Sequence, residues 1–182
     1  MLRFLPVAIA VIALAGSVQT MAADMPPDVA AQVAKFKDAD PKVRQQAMSA
    51  LAKMGEKAKP AMPKIVEMLN DKTTWVTTKA LMAITEIGPD ETVIKPVTPF
   101  LGKFEDIRTL AVDVFVKLGD KGVPGLIDAL KDETTAEGAC QALQQLGPKG
   151  KPAVAQLTEV STKHKSKPVR DAAVKALKAV GK

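Results

Sequence analysis

The sequence predicts an all-α fold, an α-solenoid of about five helix pairs stacked side by side. Three observations lead to this prediction. An amphipathic segment that ends in glycine occurs five times, at intervals of 28 to 34 residues. Apolar residues recur along each copy at the spacing of one helical face. Aromatic residues make up only 3% of the chain, so the core must be built from aliphatic side chains, among which Ala and Leu favour helices.

The five copies align on their last residue, which is glycine in each: Gly55, Gly88, Gly119, Gly147 and Gly181. Glycine adopts left-handed backbone angles without strain, so it marks the end of a helix. Eight residues before the glycine, every copy has alanine, and four residues before it, every copy has a large apolar residue. The alanines predict close helix–helix contact. These two columns are Ala47, Ala80, Ala111, Ala139 and Ala173, and Leu51, Ile84, Phe115, Leu143 and Leu177.

Shorter segments with early prolines lie between the copies and predict a first helix for each pair. A single pair cannot bury its apolar face, so neighbouring pairs must cover it, as in a quasi-one-dimensional array. Gly138, inside the fourth copy, predicts local looseness or a change of curvature. The predicted pairs span residues 27–55, 60–88, 92–119, 122–147 and 151–181.

The first 23 residues have the layout of a secretory signal peptide. Arg3 is followed by the apolar run FLPVAIAVIALAG and then by small residues. Because this run is short for a membrane span, we expect a signal peptide at 1–23 and a mature chain at 24–182, in the periplasm or secreted. An uncleaved anchor is the alternative. Cys140 is the only cysteine, which excludes an intrachain disulfide.

The stretch DADPKVRQQAMSALAKMGEKAKPAMPKIVEMLND resembles a HEAT repeat of the short bacterial type, also called PBS-lyase HEAT-like. The pattern consists of Asp, then Val-Arg, then Ala-x-x-Ala-Leu-x-x-x-Gly, and then Ala-x-Pro. The resemblance extends over residues 27–181 and is weakest in the fourth copy. It implies an α-solenoid in which the second helix of each pair lines the concave side.

The resemblance also implies a ladder of aspartate–arginine pairs, which is incomplete here. Thr77 stands at the arginine position of the second pair, and Gly102 at the aspartate position of the third. The remaining members either pair within their own repeat or reach across to the next, Arg44 to Asp71 and Arg108 to Asp132. We expect a structural role for this set, because bidentate pairs fix register. The predicted ladder consists of Asp38, Arg44, Asp71, Arg108, Asp132 and Arg170.

Variable residues beside the core columns of the second helices are the candidate partner-binding surface. Met82 and Val116 are apolar where a solvated face is polar, so they either anchor a partner or cover gaps between helices. Trp75 either anchors an interface or packs over a neighbouring turn. The full candidate set is Gln45, Ser49, Trp75, Thr78, Met82, Thr109, Asp113, Val116, Gln141 and Gln144.

The sequence shows no constellation of catalytic, metal-binding or cofactor-binding residues. His164 is the only histidine, and Cys140 falls in a column of core residues, which favours a buried structural side chain. A Cys/His metal site needs several ligands at close spacing, and the glycines form no phosphate-binding loop. We therefore expect neither an enzyme nor a cofactor.

The leading hypothesis is an exported, non-catalytic scaffold that binds an unidentified protein partner through its concave surface and is itself a monomer. Residues 149–182 carry nine basic and two acidic side chains, which suggests as an alternative that this end binds a nucleic acid or another anionic polymer or surface. An export signal argues against nucleic acid. The resemblance leaves a further alternative, a HEAT-like lyase or the accessory subunit of an enzyme.

Overall fold

The structure is a computed structural model that describes residues 25–181. All regular secondary structure in this range is helical, which confirms the predicted fold class. None of the helices described is long and apolar enough to cross a membrane. The predicted signal peptide lies outside the described residues. The α-helices of residues 25–181 are α1 (Pro27–Ala34), α2 (Pro41–Met54), α3 (Met62–Glu67), α4 (Thr74–Ile87), α5 (Ile94–Val97), α6 (Glu105–Leu118), α7 (Val123–Ala129), α8 (Ala136–Leu146), α9 (Val154–Lys163) and α10 (Lys167–Val180).

The even-numbered helices end at the residue type that the repeat pattern predicts. In α2 the carboxylate of Asp40 accepts a hydrogen bond from the Lys42 N–H at 2.8 Å, and Pro41 takes the first helical position, where no N–H is needed. Each of these helices ends at a glycine with positive φ, which confirms the predicted helix ends. The angles are 55° at Gly55, 98° at Gly88, 61° at Gly119, 58° at Gly147 and 90° at Gly181.

The odd-numbered helices are shorter and are continued by 3-10 turns. The extreme case is α5, which has four residues and lies between 3-10 segments at 91–93 and 98–102. Pro96 and Pro99 explain this, because proline has no N–H to donate and its ring disfavours a regular α-helix. These helices therefore form the less regular layer of the stack.

The helices form two layers. The even-numbered helices pack directly on one another in chain order, α2 on α4, α4 on α6, α6 on α8 and α8 on α10. The odd-numbered helices contact the next pair largely through 3-10 segments, as α7 does with residues 147–153. We call the more closely packed, even-numbered helices the inner layer.

The core lies between the layers and runs the length of the described chain. The five column alanines have no exposed surface, and neither do Leu51, Ile84, Phe115 and Leu143. Leu177, in the last helix, is only partly buried. The prediction that the alanines mediate close helix contact is confirmed. Each fully buried Leu or Phe side chain contributes about 2 kcal/mol to stability, so most of the stability comes from this continuous core.

Gly138 corrects one prediction. The sequence suggested local looseness around it, yet Gly138 is buried in α8, and a Cβ atom built on it would lie 2.4 Å from the carbonyl oxygen of Leu101. The glycine therefore permits backbone-to-backbone contact with the segment that precedes α6. The prediction of looseness was wrong because it considered only helix propensity and not the neighbouring element.

Candidate functional site

All the candidate partner-binding residues lie on helices of the inner layer, and those other than Trp75 occupy the surface beside the buried columns. Met82 on α4 is an exposed apolar residue, with 39% of its surface accessible. Thr109 and Gln144 are exposed as well. The others are half-buried between neighbouring inner helices, namely Gln45, Ser49, Thr78, Asp113, Val116 and Gln141. We call this set the inner surface.

Two hydroxyls of the inner surface are already engaged within their own helices. Thr78 Oγ1 donates to the carbonyl oxygen of Thr74 at 2.9 Å, and Thr109 Oγ1 donates to that of Glu105 at 2.9 Å. The single donor of each hydroxyl is thus used, and what remains for a partner is its acceptor capacity. At the N-terminal end of the surface, Gln45, Ser49 and Lys79 help to line a shallow polar cleft between α2 and α4.

Asp113 is the electrostatically unusual residue of the inner surface. It is half-buried in α6, and burial raises the pKa of its carboxyl above the ordinary value. Among the described residues it has neither an ion pair nor a side-chain hydrogen bond. Six residues before the helix-ending glycine, it occupies the same position in α6 as Met82 does in the adjacent α4. A partly desolvated carboxylate and an exposed methionine thus occupy equivalent positions on two packed helices.

Trp75 does not pack over a neighbouring turn, because 71% of its surface is exposed at the start of α4. Sequence reasoning did not single out Phe104, which precedes α6 and is 90% exposed, more than any other large apolar residue described. The available signal was its position: it stands directly before the first residue of a helix, outside every core column.

The predicted ladder exists at the first junction as a pair that crosses between repeats. Arg44 Nε lies 2.7 Å from Asp71 Oδ2, and Arg44 Nη2 lies 2.9 Å from Oδ1. Arg44 Nη1 donates to the carbonyl oxygens of Asp38 and Ala39. Both ion-pair side chains are nearly buried, and the hydrogen bond from Arg44 lowers the pKa of the Asp71 carboxyl. The carboxylate of Asp38 instead accepts from the N–H of Asp40.

The predicted pairing of Arg108 with Asp132 is wrong. Arg108 Nη1 lies 2.7 Å from Glu137 Oε2, and its buried Nε has no partner. The Asp132 carboxylate turns toward its own loop, where it accepts hydrogen bonds from the N–H groups of Thr134 and Thr135. These bonds, together with one from the Thr134 hydroxyl, lower the pKa of Asp132. The hydrogen bonds of this carboxylate are therefore made within its own loop and not to the preceding repeat.

The last ladder member, Arg170, repeats half of the Arg44 arrangement. Its Nη1 donates to the carbonyl oxygens of His164 and Lys165 at 2.6 and 2.9 Å. These acceptors occupy the same positions relative to the arginine as Asp38 and Ala39 do relative to Arg44. Both arginines thus donate hydrogen bonds to carbonyl oxygens just after the preceding helical segment. Arg44 in addition forms an ion pair with the next repeat.

Cys140 and His164 are the candidate reactive residues of the described chain, and the first is buried and the second half-buried. Cys140 is fully buried, and burial, with a smaller effect of Glu137, raises the pKa of its thiol to about 12. His164 Nδ1 accepts from the N–H of Ser166 at 3.1 Å, and its Nε2 is buried without a partner. No group of three His, Cys, Asp or Glu residues in the range 25–181 has the geometry to hold a metal ion.

The basic C-terminal end is partly neutralised. Lys163 pairs with Glu159, Lys165 with Glu133, and Lys167 with Asp171. Five cations of residues 149–181 are left without an ion pair: Arg170, which donates to backbone carbonyl oxygens, and Lys149, Lys151, Lys175 and Lys178. Local carboxylates therefore reduce the positive charge that this end presents to an anionic partner.

Comparison with known proteins supports the repeat assignment. The family model of HEAT repeats matches residues 27–116. No curated protein matches the chain in sequence. Among solved structures, the complex of CpcE and CpcF of phycocyanin lyase from Nostoc sp. PCC7120 is similar, with a TM-score of 0.53 and 18% identity over 81% of this chain and 96% of that one.

Two engineered proteins solved by the Northeast Structural Genomics Consortium have similar folds. One has a TM-score of 0.51 and 19% identity, with 84% of this chain and 78% of that chain covered. The other has a TM-score of 0.52 and 17% identity, and the match covers 86% of this chain but only 48% of the longer engineered chain. At these identities the likeness concerns the fold alone. The family match, the glycine-ended helix pairs and the continuous shared core together identify this chain as a HEAT-repeat protein.

Proposed function

We propose that this protein is an exported, non-catalytic scaffold whose inner surface binds a protein partner. The observation that carries the proposal is that Met82 and Asp113 occupy equivalent positions on adjacent inner helices. One is an exposed apolar side chain, and the other is a half-buried carboxylate without a counter-charge.

This pair has the chemistry of a binding anchor. A carboxylate that loses hydration without gaining a partner is destabilised, and a cationic group from a bound protein would restore the lost interaction. The flexible thioether of Met82 adapts its shape to an apolar partner residue. We therefore expect a partner segment that places a basic side chain next to an apolar one. The complex of CpcE and CpcF is an example in which this fold occurs in a protein assembly.

The state of the reactive side chains supports a non-catalytic function. A thiol nucleophile must be accessible and easily ionised, whereas Cys140 is fully buried with a raised pKa. The His164 ring already uses Nδ1 to accept a hydrogen bond from the backbone. Export is proposed from the layout of residues 1–23. Its test is N-terminal sequencing of the protein recovered from the periplasmic or secreted fraction of its host, where a mature end near residue 24 is expected.

Site-specific photo-crosslinking tests the binding surface. A photoreactive amino acid is placed at Met82 or Thr109 on the inner layer, and at Asp128 on the exposed side of α7 as the matched outer-layer control. We expect the inner positions to give one discrete crosslinked species in the native host, and the Asp113→Lys variant to lose it. Equal crosslinking from position 128, or a species unaffected by Asp113→Lys, would contradict the proposal.

A further inference from the structure

Two aromatic side chains are exposed at the edge of the molecule where α4 and α6 begin. Trp75 is the second residue of α4, and Phe104 directly precedes α6. These helices are packed neighbours that run in the same direction, so their starts lie side by side at one edge, about 10 Å apart. Aromatic residues are scarce in this chain, yet these two are 71% and 90% exposed. Aromatic residues are enriched at protein interfaces relative to the rest of the surface.

The charges around these aromatics are balanced and unpaired. Lys72 and Lys103 precede the two helices, and Glu105 and Asp106 form the first turn of α6. All four are exposed, and none takes part in an ion pair or side-chain hydrogen bond among the described residues. The nearby Asp71 is already neutralised by Arg44. We define the aromatic edge as Trp75, Phe104, Lys72, Lys103, Glu105 and Asp106.

This charge balance distinguishes between possible occupants. An anionic bilayer or a nucleic acid would attract the two lysines but repel the two carboxylates, so neither gains net electrostatic attraction. The same patch on a second copy of the chain is complementary. A two-fold axis places the two patches against each other, so that the lysines of one copy lie opposite the carboxylates of the other. The aromatic rings of the two copies then pack against each other and are removed from solvent.

We propose that the aromatic edge is a self-association surface that binds the aromatic edge of a second copy of this chain. It revises the monomer expected from the sequence and is independent of the inner surface. The two aromatics bury at most about 400 Å² per copy, roughly half of the 800 Å² per partner of a stable interface. The dimer is therefore weak and reversible, with a dissociation constant in the micromolar range or above.

Sedimentation velocity of the full chain over a wide concentration range is the first test. We expect reversible dimerisation together with a blue shift in the emission of Trp75, the only tryptophan. Phe104→Ser should weaken dimerisation at least tenfold. Val174→Ser is the matched control, because Val174 is also an exposed apolar residue, 42% accessible, but lies on α10; it should leave the dimer unchanged. Absence of a dimer, or equal effects of both variants, would overturn the proposal.

Charge reversal provides the second test, which does not depend on the aromatic rings. The Lys72→Glu/Lys103→Glu variant and the Glu105→Lys/Asp106→Lys variant should each be monomeric, because each dimer would bring like charges together. An equimolar mixture of the two should dimerise again, since the charges are then opposite across the interface. Failure of the mixture to associate would overturn the proposal. A blue shift of Trp75 emission when the wild-type protein, at a concentration where it is monomeric, is mixed with phosphatidylglycerol vesicles would also overturn the proposal, because it would assign the edge to a lipid surface.

Discussion

Two junctions between neighbouring helix pairs are stabilised by different interactions. One joins the first and second pairs, and the other joins the third and fourth. Each has an arginine at the same position of its inner helix, Arg44 or Arg108. Arg44 makes two hydrogen bonds to the carboxylate of Asp71 and two more to the end of the preceding helical segment. Arg108 makes one ion pair, with Glu137, and leaves its buried Nε unsatisfied.

The two aspartates are held differently. Asp71 precedes the next helix-ending glycine by 17 residues, whereas Asp132 precedes its glycine by 15, and α8 has 11 residues where the other inner helices have 14. The Asp71 carboxylate accepts a hydrogen bond from the Thr73 N–H and still pairs with Arg44. Among the described residues, the Asp132 carboxylate accepts only from Thr134 and Thr135 of its own loop, and Arg108 pairs with Glu137 instead.

Close backbone contact takes the place of the ion pair at the later junction. A Cβ on Gly138 would lie 2.4 Å from the Leu101 carbonyl oxygen, and a Cβ on Gly125 would lie 2.4 Å from a methyl carbon of Ile94. Elements that approach so closely can adopt few alternative registers. The comparison teaches that neighbouring repeats can be fixed either by a buried charge pair or by glycines that remove side chains from the contact.

Asp71→Asn should cause the largest loss of stability among these changes. It leaves the nearly buried Arg44 without its counter-charge, at a cost of about 3 kcal/mol in the free energy of unfolding. Urea denaturation monitored by circular dichroism measures this loss. The matched control is Asp28→Asn, which removes an exposed ion pair with Lys57 and should leave the unfolding midpoint unchanged. Equal midpoints for wild type and Asp71→Asn would refute the claim that charge holds the first junction.

Gly138→Ala should destabilise the protein by about 2 kcal/mol, even though alanine favours helices by about 1 kcal/mol over glycine. The added methyl collides with backbone atoms, which cannot move aside as a flexible side chain can. Gln145→Ala, at an exposed position of the same helix, is the control for helix propensity and should be neutral or slightly stabilising. If Gly138→Ala raises the unfolding midpoint, close contact does not hold this junction.

Glu137→Gln should cost about 1 kcal/mol or less. The Arg108–Glu137 pair is partly open to solvent, with side-chain exposures of 16% and 36%, so water screens its attraction. Thermal unfolding of this variant beside Asp71→Asn compares the two pairs directly. A loss as large as that of Asp71→Asn would mean that the two arginines contribute equally and that the contrast is only geometric.

Acid should reduce the difference between wild type and Asp71→Asn, and this is the smallest effect because it is confined to low pH. The hydrogen bond from Arg44 holds the pKa of Asp71 below its unfolded value. The ionised form therefore contributes stability above the unfolded pKa, near 3.8, and this contribution is lost as the pH falls through the folded pKa. Urea midpoints at pH 7, 5, 4 and 3 test this. The difference should be constant down to about pH 5 and shrink below about pH 4; a constant difference down to pH 3 is the contrary outcome.

Periodicity was sufficient to predict the layers and the core. The alanine and glycine columns, such as Ala80 and Gly88, determine which face of a helix is buried and where the helix ends, and both were confirmed. The partner of Arg108 could not be predicted, because Glu137 lies one residue after the ladder position of the fourth copy and the Asp132 carboxylate is bound by its own loop. Side-chain partners depend on distances that a column alignment does not contain.

The sequence predicted which positions form the inner surface, but not the exposure and hydration of their side chains. Helical spacing placed Met82 and Asp113 beside the core, yet only the packed helices reveal that one is exposed and the other loses hydration without gaining a counter-charge. Phe104 illustrates the opposite case. It belongs to no column, so a search based on columns passed over the most exposed large apolar residue described.

Cys140 is an intrinsic probe of local unfolding in the helical array. Its thiol has no solvent contact while α8 stays in place between α6 and α10. An alkylating reagent can therefore modify it only during excursions that separate these helices, and the rate of modification measures the frequency of such openings. Comparing that rate between wild type, Asp71→Asn and Gly138→Ala would tell whether the stack opens one pair at a time or as a whole.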